Sequence, residues 1–163
     1  MTPLYNSRSA SSGGSGLPSG FYEENQNIAL SDISLSDSTA TGNYTFSATT
    51  RNFVRVGNKV TLNLSLYNIQ TTGAPTGLFR VSSNVLTNFP QIGNNPVAVT
   101  VSEFSGSSTN HYSISGRLSA SGYILFQYQN ALDTSTSSYV MSNTFTNGKI
   151  DLSLTYVTNV YTP

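Results

Sequence analysis

The sequence predicts an all-β protein, an antiparallel β-sandwich with a jelly-roll-like arrangement. Apolar and polar residues alternate along several segments, and turn signals separate those segments. No window shows the spacing of an amphipathic helix, and the seven or eight short strands that we infer suit Greek-key connections. We expect an extended N-terminal segment over residues 1–40 and a β-sandwich head domain over residues 41–163.

The clearest hairpin lies between residues 41 and 66. Every second residue of its C-terminal strand is apolar, which indicates one buried face. These residues are Val60, Leu62, Leu64 and Leu66. Gly57 and Asn58 tolerate the positive φ of a short loop. A two-residue loop would pair Arg55 with Val60, and a three-residue loop would pair Val56 with Val60. Matching the apolar faces favours the three-residue loop.

Further strands follow to the C-terminus. We predict strands over residues 78–81, 97–104, 112–118, 123–129, 139–145 and 150–157. Asn147-Gly148 is the strongest tight-turn signal and predicts a hairpin between the last two strands. Residues 82–96, rich in Asn, Pro and Gly, predict a long loop. The expected core includes Leu62, Leu64, Val99, Val101, Leu125, Leu152 and Leu154.

Composition limits the classes of function. The chain has 163 residues, enough for one domain with an appendage. Seven basic and seven acidic residues give no net charge, so we expect binding neither to nucleic acid nor to an anionic membrane surface. No window approaches ~18 consecutive apolar residues, so we expect no membrane insertion. The absence of cysteine excludes disulfides and thiolate chemistry. No apolar run follows Met1 as in a signal peptide, so we expect synthesis in a cytoplasm.

The residues that could carry chemistry are few. A chain with one histidine, His111, and no cysteine lacks the usual zinc ligand sets. Glycoside hydrolysis needs two carboxylates about 5–10 Å apart, and Glu103 and Asp133 are one such candidate pair. Asp133 lies among Ser and Thr residues, where an aspartate is ordinarily a turn former. We therefore predict no catalytic residue, no cofactor and no metal site, and expect that the protein is not an enzyme.

The hairpin also carries a family resemblance. The residues concerned are Gly42, Tyr44, Thr45, Phe53, Arg55, Gly57, Asn58 and Val60. This pattern resembles the β-rich domain at the C-termini of bacteriophage tail-fibre and other receptor-binding virion proteins. Looser matches at Thr76-Gly77-Leu78, residues 122–128 and residues 152–159 extend it over roughly residues 41–159. Such domains often show a Gly-Leu-Pro-Phe run after the third strand, whereas this chain has Gly77-Leu78-Phe79.

The resemblance implies a fibre or spike protein of a phage particle, a homotrimer whose head contacts a host-surface glycan or protein. Residues 1–20 are rich in Ser and Gly, and ordering such a tract costs roughly 1–2 kcal/mol per residue with little apolar burial to offset it. We therefore expect residues 1–40 to gain order against other virion proteins. The expected virion-anchoring residues are Leu4, Tyr5, Leu17, Phe21 and Tyr22.

Three alternatives stay open. A head-fibre or capsid-decoration protein would share this organisation and lack a receptor role. A lectin-like carbohydrate-binding module would share the fold, and amphipathic tyrosines suit contacts with sugars. A depolymerase would need a cleft that holds two close carboxylates.

Overall fold

The computed structural model describes residues 23–39, 42–93, 95–108, 113–129, 138–139 and 144–160. Within these ranges the chain is almost entirely strand, so the all-β prediction is confirmed. The strands are β1 (Glu23–Asn27), β2 (Ile33–Asp37), β3 (Gly42–Val56), β4 (Lys59–Gly73), β5 (Phe79–Ser83), β6 (Val97–Ser107), β7 (Ser113–Leu118), β8 (Ile124–Gln129), β9 (Ser138–Tyr139) and β10 (Phe145–Val157). A 3-10 helix spans Leu30–Asp32, and a short helix, α1, spans Asn84–Asn88.

The strands form one continuous antiparallel sheet in the order β1-β3-β4-β10-β6-β7-β8-β5-β2, with β9 paired to β8. Strand β6 belongs to both halves of this sheet, because Thr100–Ser107 pairs with β10 and Val97–Val99 pairs with β7. The first half comprises β1, β3, β4, β10 and the C-terminal part of β6. The sheet curls so that its halves face each other, as the two layers of a sandwich do.

Aromatic rings fill the space between the halves. Phe79 of β5 lies 5.3 Å from Tyr44 of β3, 5.0 Å from Phe145 of β10 and 5.6 Å from Phe126 of β8, measured between ring centroids. The alternating leucines of β4 and β10 point into the same core, as predicted. On β8 the inward residues are Ile124 and Phe126, so Leu125 is only partly buried and its predicted core position is wrong.

The β3–β4 hairpin has the two-residue loop Gly57-Asn58, so the predicted three-residue loop is wrong. Arg55 pairs with Val60, and Val56 pairs with Lys59. The cause is that Arg55 is fully buried, with its guanidinium 4.6 Å from the centroid of the Phe89 ring. Since Arg55 takes the inward position, Val56 faces solvent and is 39% exposed.

The expected turn at Asn147-Gly148 is also wrong, because both residues lie inside the single strand β10. Asn147 has φ of 52°, and the pairing with β4 shifts between Gly148 and Ile150, which identifies a β-bulge. A Cβ on Gly106 of β6 would lie 2.6 Å from the Gly148 Cα. The Asn-Gly pair therefore permits a bend and a close approach of two strands within the sheet.

Two further differences concern chain segments. The predicted loop over residues 82–96 contains α1, whose Val85 and Leu86 are buried. In the segment expected as an extended attachment, β1 pairs with β3 and β2 pairs with β5. The head therefore begins by Glu23, before the predicted boundary at residue 40.

Candidate functional site

The residues singled out for chemistry or anchoring lie mostly outside the described ranges. Those outside are Leu4, Tyr5, Leu17, Phe21, Tyr22, His111 and Asp133. Among the residues that are described, no three His, Asp or Glu side chains cluster so that they could hold a metal ion. The same residues include no helix with the length and apolarity needed to cross a membrane.

The outward face of the first half of the sheet is the most extensive candidate surface. We call it the outer face: the positions of β1, β3, β4, β10 and β6 that alternate with the buried ones. Register places Asn52, Asn63, Ser153 and Thr100 in one row across four strands. In the next row, the hydroxyls of Thr61 and Thr155 are 2.9 Å apart. The centre of this face presents hydroxyl and amide groups.

A charged cluster lies toward one end of this face, where Lys149 of β10 pairs with Ser105 of β6. Lys149 Nζ of β10 lies 2.5 Å from Glu103 Oε2 of β6 and 3.1 Å from Asp151 Oδ2. The Ser65 hydroxyl donates to Asp151 Oδ1 at 2.5 Å, and the Ser105 hydroxyl donates to Glu103 Oε1 at 3.3 Å. Two carboxylates are thus held next to each other by one ammonium group.

Hydrogen bonds set the protonation of this cluster. The Ser65 hydroxyl, followed by Lys149, holds the pKa of Asp151 below its ordinary value. The hydrogen bond to Glu103, followed by that to Asp151, raises the pKa of Lys149. Asp151 and Lys149 therefore stay charged at neutral pH. Their side chains remain 26–40% exposed, so solvent screens their attraction.

The opposite end of the outer face carries an apolar row. Lys59 of β4 pairs with Val56 of β3 on one side and with Val157 of β10 on the other. Beyond Val157, the Ile92 backbone N–H donates to the Val157 carbonyl at 2.9 Å, next to an isolated bridge between Gln91 and Thr158. We call Val56, Lys59, Val157 and Ile92 the end row.

The buried carboxylate of Asp37 links the turn after β2 to the connection that precedes β5, and so has a structural role instead of forming a binding site. Asp37 Oδ2 accepts hydrogen bonds from the Thr39 hydroxyl at 3.0 Å and from the Thr76 backbone N–H at 3.1 Å. Burial, together with the charge of Asp37, raises the pKa of the Tyr44 hydroxyl to about 12. A Cβ on Gly77 would lie 2.7 Å from the Thr39 nitrogen, so glycine is needed for this close approach. The Thr76-Gly77-Leu78 motif is therefore structural.

Sequence reasoning identified Glu103 and missed its partners. The expected partner, Asp133, is outside the described residues, whereas Lys149 and Asp151 meet Glu103 through pairing between β6 and β10. Alternation along β10 already indicated that Lys149 and Asp151 share the solvent face. The neighbouring strand could not be read from the chain. Comparisons with family models, with curated proteins and with solved structures give no match to this chain.

Proposed function

We propose that this chain is a non-enzymatic structural protein of a bacteriophage particle, a fibre or spike whose N-terminus anchors it and whose β head contacts the host surface. The observation that supports this most strongly is the outer face, a wide sheet surface of hydroxyl and amide groups with a charged cluster at one end and Lys59 at the other. Such a surface suits hydrogen bonding to a neutral glycan or to another protein. The family resemblance of the hairpin supplies the phage assignment.

The geometry of the head also suits attachment at one end and binding at the other. Glu23 pairs with Val56, so residues 1–22 join the head at the end of the outer face that carries the end row. Val157 lies eight residues beyond Lys149 along β10, a distance of about 26 Å in extended strand. The charged cluster is therefore far from the point where the proposed anchor joins.

We further propose that the head is a homotrimer. The sheet ends at β1 on one side and at β2 on the other. The outer edge of a terminal strand carries backbone N–H and C=O groups that can pair with another chain. Burial of these edges between subunits would protect them, and the resemblance to trimeric fibre heads gives the subunit number.

Deletion of residues 1–22 tests both parts of this proposal, because the deletion ends just before β1. We expect the shortened protein to remain a trimer in light scattering, to bind host cells and to be lost from purified particles. A full-length variant with serine at Leu4, Tyr5, Leu17, Phe21 and Tyr22 keeps the segment's length and should also fail to join the particle.

A different result would contradict each part of the proposal: the trimer, the anchor and the contact with the host surface. A monomeric head, in both the full-length and the shortened protein, would exclude the trimer. Normal incorporation of the shortened protein would exclude the anchor. Incorporation of the full-length protein without any binding of the head to host cells would instead favour a decoration protein.

A further inference from the structure

The second half of the sheet, formed by β2, β5, β7, β8, β9 and the start of β6, presents a row of basic side chains on its outward surface. Register places Ser36 of β2, Arg80 of β5, Leu125 of β8 and Arg117 of β7 side by side. All four alternate with buried positions of their strands and are partly exposed. We call these four residues the basic row. Two arginines therefore flank one aliphatic side chain, on the opposite side of the molecule from the outer face.

The charge on this surface has one sign among the described residues. The strands β2, β5, β7 and β8 contain one acidic residue, Asp37, and it is fully buried. Glu103 and Asp151 lie on the outer face instead, together with Lys149. The whole chain has no net charge. The fold therefore separates the charges and leaves the basic row as a local positive surface.

The Arg80 guanidinium is already fixed by its own neighbours. Its Nε donates to the Ser36 hydroxyl at 2.9 Å, and its central carbon lies 4.2 Å from the centroid of the Tyr123 ring. Within the described part of the chain, its two terminal nitrogens have no hydrogen-bond partner. Such a pair of nitrogens can bind a carboxylate through two parallel hydrogen bonds. Because one edge and one face of the group are held in place, binding an anion there costs little side-chain entropy.

The surroundings of Arg80 suit a sugar. Leu125 is partly exposed and offers an apolar contact for the C–H groups of a sugar ring. Hydroxyl groups lie on the same surface, where Ser34 and Ser82 are 2.8 Å apart between their side-chain oxygens. Gln127 of β8 adds an amide group two residues beyond Leu125. Hydroxyl and amide groups can both donate and accept hydrogen bonds, as sugar hydroxyls require.

Two other anionic partners fit this surface less well. A protein partner usually needs about 20–30 residues a side with aromatic or arginine anchors in a desolvated centre, and the apolar side chain at the centre of the basic row is Leu125 alone. A nucleic acid usually needs about 6–10 phosphate contacts, and the row offers two arginines. An acidic glycan requires a single carboxylate site among hydroxyl contacts.

We propose that the basic row binds an acidic glycan, with a sugar carboxylate on the terminal nitrogens of Arg80 and the sugar ring over Leu125. Arg117 adds positive charge on the far side of Leu125, two strand spacings or about 10 Å from Arg80 between Cα atoms. The site stands on the register and contacts of Arg80, so it does not depend on the phage assignment. It is also separate from the outer face and from any ligand bound there.

Titration calorimetry of the full-length protein with three polymers tests this site. Polygalacturonate carries a carboxylate on every sugar. Its methyl ester keeps the rings and loses the charge, whereas polyglutamate keeps the carboxylates and has no sugar hydroxyls. We expect polygalacturonate to bind, and each of the other two to bind roughly tenfold more weakly or less, as loss of a charge-assisted contact implies. This comparison uses the wild type, so it does not depend on the folding of a variant.

Substitutions then locate the site. Arg80→Gln should lower the affinity for polygalacturonate about tenfold, and Arg117→Gln should lower it less. Lys59→Gln is the matched control, because it removes one positive charge from the outer face and should leave the affinity unchanged. Circular dichroism of each variant reports that it is folded.

Four results would overturn the proposal. Absence of polygalacturonate binding would exclude the site, and equal affinity for the methyl ester would assign the surface to a neutral sugar. Equal affinity for polyglutamate would assign it to an acidic peptide. Equal losses in Arg80→Gln and Lys59→Gln would show that overall charge, and not the basic row, attracts the polymer.

Discussion

At the scale of single residues, Arg55 determines how the β3–β4 hairpin is registered. Its side chain is fully buried and lies over the Phe89 ring, in a layer that also contains Phe53. A buried guanidinium is stable only where its charge is compensated, and an aromatic face supplies part of that compensation. The alternative register would expose Arg55 and Phe53 and would bury Val54 and Val56. The larger apolar area of the observed layer favours the register that is found.

A double-mutant cycle on Arg55 and Phe89 measures this interaction. We expect Arg55→Met and Phe89→Leu to be coupled by about 0.5–2 kcal/mol in the free energy of unfolding, because Arg55 is fully buried and Phe89 packs against the core. Urea unfolding of the two single variants and the double variant gives the coupling.

The Arg80–Tyr123 pair is the control for this cycle. Its guanidinium lies 4.2 Å from the ring centroid, but both side chains are partly exposed. Its coupling should be smaller than that of Arg55 and Phe89. Equal coupling for the two pairs would show that burial does not strengthen the interaction.

At the scale of elements, β10 is the strand that assembles the outer face. It pairs with β4 on one side and with β6 on the other. A register shift at Gly148 to Ile150 and another at Asp151 to Leu152 bring Ser65, Asp151 and Glu103 into one row. Two bulged pairings therefore decide which polar side chains meet.

The charged cluster predicts a pH-dependent contribution of Ser65. The pKa of Asp151 is lower in the folded protein than its ordinary value of 3.8. The hydrogen bond from Ser65 therefore stabilises the fold above the unfolded-state pKa, and this contribution disappears as the pH falls through the folded-state pKa. Ser65→Ala should thus lower the free energy of unfolding at pH 7, and in strong acid its difference from the wild type should be small.

Urea unfolding of the wild type and of Ser65→Ala across this pH range checks the prediction. Ser102→Ala is the control, because the Ser102 hydroxyl donates to the Asp151 backbone carbonyl at 3.4 Å and not to its carboxylate. Its effect should not depend on the titration of Asp151. A Ser65→Ala deficit that stays constant down to strong acid would contradict the assigned cause of the pKa shift.

At the scale of the whole molecule, the two halves of the sheet form one structural unit. They share β6, and the Phe79 ring contacts rings from β3, β6, β8 and β10. Loss of packing in one half therefore removes contacts from the other. We expect a single cooperative unfolding transition, as in most single domains of this size.

Leu64→Ala in the first half and Phe126→Ala in the second test this cooperativity. Both side chains are at most 2% exposed, and each truncation should lower the free energy of unfolding by about 2–5 kcal/mol. Fluorescence and circular dichroism should report the same midpoint for each variant. Thr155→Ala on the outer face should change stability by less than about 0.5 kcal/mol. Separate midpoints for the two probes would show that the halves unfold independently.

Taken alone, the sequence determined the all-β class, the hairpin position and the buried stripes of β4 and β10. These follow from the period of two in side-chain direction, which is a property of the strand itself. Only the tertiary structure decided the register at Arg55, the bulge at Asn147-Gly148, and the meeting of Glu103 with Lys149 and Asp151. The register and the charged cluster depend on which distant segments are neighbours, since the Phe89 ring lies over the Arg55 guanidinium and β6 pairs with β10. Local propensity carries no information about such partners, because the contacts join residues that are far apart in the chain.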